Sequence, residues 1–225
     1  LILVPQLLQA LLQAADAGAP LPQSLRFIAV GGGRVAPALL ERATQLGLPV
    51  FEGYGLSECA SVVCLNRPGY QRAGTVGKPL PHVDIKLADD GEILVRGARA
   101  LGYLGEPASS DEYWPTGDLG RLEDGYLSIL GRKKNQFITA YGRNVNPEWV
   151  EAELTSHPAI AQVLVYGEAL PTNLALIVPR STAFSVDDIT QAIARANSEL
   201  PDYAQIGAWL TASEPFSAAN GQLTS

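Results

Sequence analysis

The chain has only two cysteines and two histidines in 225 residues, which removes most of the side chains that a zinc site or a disulfide framework requires. Cys59 and Cys64 stand five apart in Cys59-Ala60-Ser61-Val62-Val63-Cys64, a stretch that reads as strand-like. Odd spacing along a strand sets two side chains on opposite faces, so this pair suits neither a disulfide nor a shared metal. Both cysteines are expected to be small core residues. His82 follows Pro81 at a strand start and His157 precedes Pro158 after a helix, with no cysteine or carboxylate cluster beside either. Structural roles are expected for both histidines.

Long apolar runs are lacking as well. Residues 1–12 are the longest early run, but Pro5, Gln6 and Gln9 interrupt it and no basic flank precedes it. It fits neither a signal peptide nor a membrane span, so a cytoplasmic location is the default expectation. Positive charge is scarce: 16 Lys and Arg stand against 23 Asp and Glu, for a formal net charge of -7, and no basic run exceeds Arg132-Lys133-Lys134. Binding to nucleic acid through phosphate neutralisation is therefore disfavoured. Repeats and low-complexity tracts are absent.

What is present is enough apolar material, 47% of the chain, for one large or two ordinary domains. Leu7, Leu8, Leu11 and Leu12 follow helical spacing, ending near Gly18-Ala19-Pro20. A strand over residues 25–30, a helix over 37–46 closed by Gly47 and a strand over 49–52 then give a β-loop-α-β order, which predicts a parallel α/β layer. From about residue 61 the pattern changes to alternation. Val83-Asp84-Ile85-Lys86-Leu87 and Glu92-Ile93-Leu94-Val95-Arg96 flank the turn Asp89-Asp90-Gly91, predicting antiparallel hairpins and a small β-barrel region. Residues 136–225 read as a compact α+β domain: strand 136–139, helix 147–155 opened by Pro147, strands 160–166 and 174–178, and helix 186–197. Trp149, Glu151 and Glu153 belong to that first helix, one face packing and the other solvated.

Two motifs in the middle of the chain point to chemistry. Tyr113-Trp114-Pro115-Thr116-Gly117-Asp118-Leu119-Gly120 and Gly131-Arg132-Lys133-Lys134-Asn135 are joined by strands over 119–122 and 126–130 through the turn Glu123-Asp124-Gly125. Asp118 and Arg132 can therefore lie near each other. An ionised carboxylate accepts two vicinal hydroxyls and a guanidinium is a rigid multi-donor fork, so the pair suits a ribose. It equally suits a surface salt bridge beside a turn, which stabilises little.

Two further motifs lie upstream, each after a short strand: Val30-Gly31-Gly32-Gly33-Arg34-Val35-Ala36-Pro37 and Phe51-Glu52-Gly53-Tyr54-Gly55-Leu56-Ser57-Glu58. The bare glycine backbone admits a planar base, or it serves a tight strand-to-helix turn. Tyr54 between two glycines has both ring faces open for stacking, or it is a packed core tyrosine. Ser57 before Glu58-Cys59-Ala60 also reads as a helix N-cap. No Ser-His-Asp arrangement is evident.

Taken in order, these four motifs resemble the adenylate-forming (AMP-binding) superfamily, which includes acyl-CoA synthetases, firefly luciferase and the adenylation domains of peptide synthetases. The details are most similar to bacterial long-chain acyl-CoA synthetases. Leu101-Gly102-Tyr103-Leu104-Gly105, Tyr141-Gly142-Arg143-Asn144-Val145-Asn146-Pro147-Glu148 before Trp149-Val150-Glu151, and Ala219-Asn220-Gly221-Gln222-Leu223-Thr224 carry that similarity. The resemblance implies an α/β and α+β fold in which residues 1–131 are the C-terminal part of a large adenylation domain. Residues 132–135 would be a hinge, with Lys134 at its pivot or as a solvated turn lysine, and 136–225 the small C-terminal domain.

The reaction implied is activation of a carboxylic acid, a fatty acid by subfamily, as acyl-AMP with ATP and Mg²⁺, followed by transfer to CoA. An acyl carrier protein is the alternative acceptor, and a noncatalytic nucleotide-binding relative is a third reading. By the same resemblance Gly32, Gly33 and Arg34 border adenine, and Glu52, Gly53, Tyr54, Gly55, Leu56 and Ser57 continue the nucleotide site. Ser57 and Glu58 are the catalytic candidates: the hydroxyl meets phosphate and the Glu58 carboxylate holds Mg²⁺. Asp118 binds the ribose hydroxyls, Arg132 adds a contact to ribose or phosphate, and Arg143 reaches phosphate.

The family's Ser/Thr/Gly-rich phosphate loop does not occur in these residues, and position 1 falls within what the family makes a helix of the large domain. The chain is therefore expected to be the C-terminal portion of a longer enzyme, inactive in adenylation by itself. The adenylation lysine is missing too. On one alignment Gln222 takes its place, and on the long-chain pattern, which is preferred, a basic residue follows Ser225.

Overall fold

The structure, a computed structural model, describes residues 1–21 and 24–222. Leu223 and Thr224 of the last motif lie outside the described residues. The chain divides into two compact units, Leu1–Lys134 and Asn135–Ser225.

The first unit opens on a strand, β1 (Ile2–Leu3), where the resemblance implied a helix; the helix α1 (Pro5–Asp16) begins only at Pro5, a first-turn position that tolerates a missing N–H. Leu8 and Leu12 are buried while Leu7 is exposed, so the inward stripe is narrower than the leucine spacing suggested. Strand β2 (Ile28–Val30), helix α2 (Pro37–Gln45) and strand β3 (Val50–Tyr54) follow. β1, β2 and β3 are parallel, as the β-loop-α-β order requires. Leu8, Leu12, Ile28, Val30, Val35 and Ala43 make the core between this layer and its helices.

After β3 the chain reverses. Ser57–Cys59 form a single 3-10 turn, and Ala60 and Ser61 both take positive φ, 54° and 74°. The segment between the two cysteines is thus a reversal and not a strand. It lets β4 (Cys64–Leu65) and β5 (Lys78–Pro79) extend the parallel layer with antiparallel edge strands, pairs that carry no local pattern of their own. Both cysteines are buried and free in one core cluster with Val63, Ile93, Val95 and Leu127. Burial pushes the Cys64 thiol up to about 12, so it is a packing residue.

β6 (Asp84–Leu87), β7 (Glu92–Arg96), β8 (Trp114–Glu123) and β9 (Tyr126–Arg132) form an antiparallel meander in that order. This is the expected barrel region. Its β9 edge is joined to the segment just before β5 by the hydrogen bonds Val76 N–H to Leu127 O (2.8 Å) and Leu127 N–H to Gly77 O (3.0 Å), and no ladder joins β6 to β9 among the described residues. Glu123 pairs with Tyr126, so the turn is the two residues Asp124-Gly125, both at positive φ, and not the three expected.

The second unit holds a short hairpin, β10 (Phe137–Ile138) with β11 (Asn144–Val145), then helix α3 (Pro147–Thr155). Strands β12 (Ile160–Tyr166) and β13 (Asn173–Pro179) pair antiparallel, and helix α4 (Val186–Glu199) returns the chain to β14 (Ile206–Thr211), parallel to β13. Sequence reading missed β14, whose Gly207-Ala208 weakens the strand signal. A capping box at Ser185 and Asp188 starts α4. Val150, Leu154, Ile160, Ile177, Ile189 and Ile193 form the core. His157 Nδ1 accepts the Ala159 N–H at 3.2 Å, the structural role expected of it.

Glu151, on the helix expected to pack with one face and solvate the other, is half-buried. Its Oε1 accepts the Val165 N–H at 2.9 Å, stitching α3 to β12. Burial, with the nearby Glu148, pushes the carboxyl from 4.5 up to about 7, against the pull of that N–H. A carboxyl raised in the folded state contributes stability that is full below 4.5 and lost as pH rises through about 7. Glu151→Gln keeps an acceptor for Val165 and removes the titration. The stability of wild type relative to this variant is expected to fall between those pH values by up to about 3 kcal/mol, measured by urea unfolding. A difference that stays constant across that range counts against the half-buried, protonated carboxyl.

Candidate functional site

Three of the expected residues meet in the first unit. Asp118 is buried, and its Oδ1 lies 3.0 Å from Arg132 Nε while its Oδ2 accepts the Tyr54 hydroxyl at 2.7 Å. Tyr54 comes from the end of β3, Asp118 from β8 and Arg132 from the end of β9. The guanidinium is half exposed, with Nη1 also donating to Thr116 O at 3.4 Å. Burial, in the first place, pushes the Tyr54 hydroxyl well above its ordinary range, so it donates and does not ionise.

The Asp118–Arg132 pairing depends on a β-bulge. Counting back from Glu123 opposite Tyr126, an uninterrupted ladder would set Asp118 opposite Gly131. The register shifts between Leu119 and Gly120, leaving Leu130 as the extra residue, and Arg132 moves into place opposite Asp118. The pair is then a buried carboxylate with a half-exposed partner, not a surface salt bridge. A carboxylate has about four lone-pair directions, and the Tyr54 hydroxyl and Arg132 Nε are among the groups that orient this one.

Backbone geometry presents Asp118. Gly117 takes φ 71°, a left-handed conformation that an L side chain adopts at a cost. The Asp118 N–H donates to Thr116 Oγ1 at 3.1 Å, and the buried Thr116 hydroxyl donates to Ile93 O at 2.8 Å.

The upstream motifs sit as follows. Gly32 and Gly33 are exposed in the loop after β2, and Arg34 donates from Nη1 to Ile129 O at 3.2 Å, fastening that loop to β9. Glu52 lies within β3. Burial pushes its carboxyl up to about 7, opposed by the charge of Arg34 and the Val35 N–H. Gly53 pairs with Leu65 across the sheet, and Gly55 and Leu56 lead into the 3-10 turn. That turn corrects the N-cap reading of Ser57: Leu56 is the capping residue, no side chain caps it, and the exposed Ser57 hydroxyl is not spent on a helix end.

Glu58 has a partner that the sequence did not indicate. Tyr103, from Leu101-Gly102-Tyr103-Leu104-Gly105, donates its hydroxyl to Glu58 Oε1 at 2.8 Å, and the Ala100 N–H donates to Glu58 O at 2.7 Å. Tyr103 also sits edge-on to Trp114, with centroids 5.7 Å apart. The Glu58 carboxylate raises the Tyr103 hydroxyl above its ordinary value. No group of three or more His, Cys, Asp or Glu side chains able to hold a metal occurs among the described residues. Lys134 ends the first unit, exposed. Arg143 belongs to the second unit, exposed, with its guanidinium 5.7 Å from the centre of the Tyr203 ring.

A parallel layer with an antiparallel extension, carrying a bulge-positioned Asp–Arg–Tyr cluster and a glycine loop, is the α/β arrangement of this first unit. Two family models match this chain: AMP-binding enzyme over residues 1–105 and AMP-binding enzyme C-terminal domain over residues 134–220. The chain belongs to the AMP-binding, adenylate-forming enzyme superfamily. It is 43% identical over 164 residues to long-chain-fatty-acid–CoA ligase FadD15 of Mycobacterium bovis, a match spanning 69% of this chain and 27% of that protein. To 2-succinylbenzoate–CoA ligase of Bacillus subtilis it is 35% identical over 164 residues, 65% of this chain and 34% of that protein. The fold is also that of the Bacillus subtilis o-succinylbenzoate coenzyme A synthetase solved with ATP and magnesium, with a TM-score of 0.77 at 29% identity, over 97% of this chain and 49% of that one. The chain thus spans about a third or less of these curated relatives and about half of that solved structure.

Proposed function

We propose that this chain serves an ATP-dependent acid–thiol ligase, which activates a carboxylic acid as acyl-AMP and transfers the acyl group to CoA. A fatty acid is the first candidate, since a fatty-acid–CoA ligase is among the relatives at higher identity; a succinylbenzoate ligase stands among them too. The observation that carries the reading is the buried Asp118 carboxylate held from both sides by Arg132 and Tyr54. An acceptor so fixed suits the vicinal hydroxyls of a ribose.

Around it, Gly32, Gly33 and Arg34 with Glu52 to Leu56 would border the base, the Tyr54 ring would stack on it and Ser57 would meet phosphate. Magnesium, when bound with ATP, supplies charge neutralisation at the phosphates. Glu58 would hold it, and a single carboxylate fits because Mg²⁺ typically takes one or two carboxylates with phosphates and waters. The Tyr103 hydroxyl, which donates to Glu58 Oε1, would orient the carboxylate for this. No protein nucleophile is required: the carboxylate of the acid attacks the α-phosphorus and pyrophosphate leaves, and the thiol then displaces AMP at the acyl carbon. The chain's contribution is to bind, orient and stabilise developing charge.

Lys134, between the two units, is the proposed hinge for a change of orientation between these half-reactions. The test is ATP–pyrophosphate exchange by the full-length protein over a panel of carboxylic acids, with thioester formation assayed separately from presynthesised acyl-AMP and CoA. Exchange stimulated by a fatty acid is expected. In Lys134→Pro, which locks φ and removes an N–H, one half-reaction should fall far more than the other. Exchange with no acid overturns the ligase reading, and equal loss in both half-reactions, or none, overturns the hinge.

A further inference from the structure

Gly117 is held by a closed ring of contacts that the nucleotide site does not itself contain. Its N–H donates to Glu92 Oε1 at 2.9 Å. Its carbonyl accepts the Lys133 N–H at 2.8 Å. The circuit closes through side chains, because Lys133 Nζ reaches the other oxygen of Glu92 at 2.9 Å and Asp90 Oδ2 at 2.5 Å. The Glu92 side chain is only 14% exposed, whereas Asp90 and the ammonium are about half exposed. The Glu92 N–H in turn donates to Asp90 Oδ1 at 3.1 Å, tying the β6–β7 turn into the same ring.

Every polar group of the Gly117 residue is therefore committed, in the left-handed conformation that immediately precedes Asp118. We infer that Glu92 is a positioning residue for Asp118, acting through the Gly117 peptide and held in place by Lys133. A carboxylate suits the task because its two oxygens serve two donors at once, one on β8 and one just after β9. Lys133 is paired here with two carboxylates that also hold its ammonium protonated above the ordinary lysine range. The same residue stands next to Lys134, the last of the first unit, so the ring holds the chain as far as Lys133.

This inference rests on the nucleotide reading above. The experiment is a double-mutant cycle in ATP affinity, by isothermal titration on the full-length protein, with Glu92→Ala, Asp118→Ala and both together. Glu92→Ala is expected to weaken ATP binding about tenfold, and Glu92→Gln, which keeps an acceptor for the Gly117 N–H, about threefold. In the Asp118→Ala background, Glu92→Ala should weaken binding by less than about twofold, because there is no carboxylate left to position. A role in general stability would act in both backgrounds alike.

Wild-type affinity in a folded Glu92→Ala, or additive losses in the double variant, overturns the inference while leaving the nucleotide reading intact, provided Asp118→Ala alone weakens binding. A wild type that binds no ATP overturns both. Should Glu92→Ala fail to fold, Glu92→Gln and Lys133→Met decide the matter: weakening that disappears in the Asp118→Ala background supports the ring, and unchanged affinity in both overturns it.

Discussion

Replacing Asp118 by alanine is expected to weaken ATP binding by the full-length protein about tenfold to a hundredfold, roughly 1.5–3 kcal/mol. The size follows from removing a charged acceptor that is buried and already oriented by Tyr54 and Arg132. The substitution also leaves the Tyr54 hydroxyl and the Arg132 guanidinium without that partner, so some loss of stability accompanies it. Asp118→Asn, with nearly the same shape, separates the two effects. A ribose role makes a finer demand: wild type should prefer ATP over 2′,3′-dideoxy-ATP, and Asp118→Ala should largely lose the preference. A folded variant with wild-type ATP affinity, or with the preference intact, would sink the assignment.

Gly55→Ala is the second large effect expected. A Cβ on Gly55 would lie 1.6 Å from the Ser61 carbonyl oxygen and 2.9 Å from Val62 Cα. Those atoms are backbone, and they belong to the reversal in which Ala60 and Ser61 already take positive φ. No rotamer change can relieve such an overlap. The backbone must open between Tyr54 and Ser61, displacing the turn that carries Ser57 and Glu58. A stability loss of about 3 kcal/mol or more is expected, with a fall of roughly 6–12 °C in the unfolding midpoint of the first unit. ATP affinity should drop with it. A wild-type midpoint together with wild-type affinity would show that the close packing of this reversal is not needed.

Much of the candidate site was legible because its motifs are local. Glycine at residues 31–33, Gly55 beside a serine and a glutamate, and Thr116-Gly117-Asp118 each announce backbone that approaches something closely or turns sharply. The hairpin between Asp118 and Arg132 was legible for the same reason, since alternation and an Asp-Gly turn lie within a few residues. What could not be read is which residue faces which. A regular ladder gives Asp118 a glycine opposite, and only the extra residue at Leu130 supplies the arginine. Ser57 looked like a helix cap because its neighbours fit one, yet the turn stops after three residues. Tyr103 reaches Glu58 from 45 residues away, and Glu92 reaches Gly117 from 25. Contacts at that separation leave no periodic trace.

The sequence by itself determined the helices, the longer strands apart from β14, and the chemical types at the site: helices and strands from periodicity, turns from glycine and aspartate, and a carboxylate, a guanidinium, a phenol and a hydroxyl in a fixed order along the chain. Local sterics and side-chain spacing suffice for that, because each choice is settled within one or two turns of backbone. The tertiary structure alone decided that β1 begins the parallel layer, that the cysteines flank a reversal, that Glu151 is half-buried against β12 and that Asp118 is gripped by Arg132, Tyr54 and the ring through Glu92. Those outcomes turn on register and burial, which depend on residues distant in sequence competing for one core, and a window of neighbouring residues does not contain that competition.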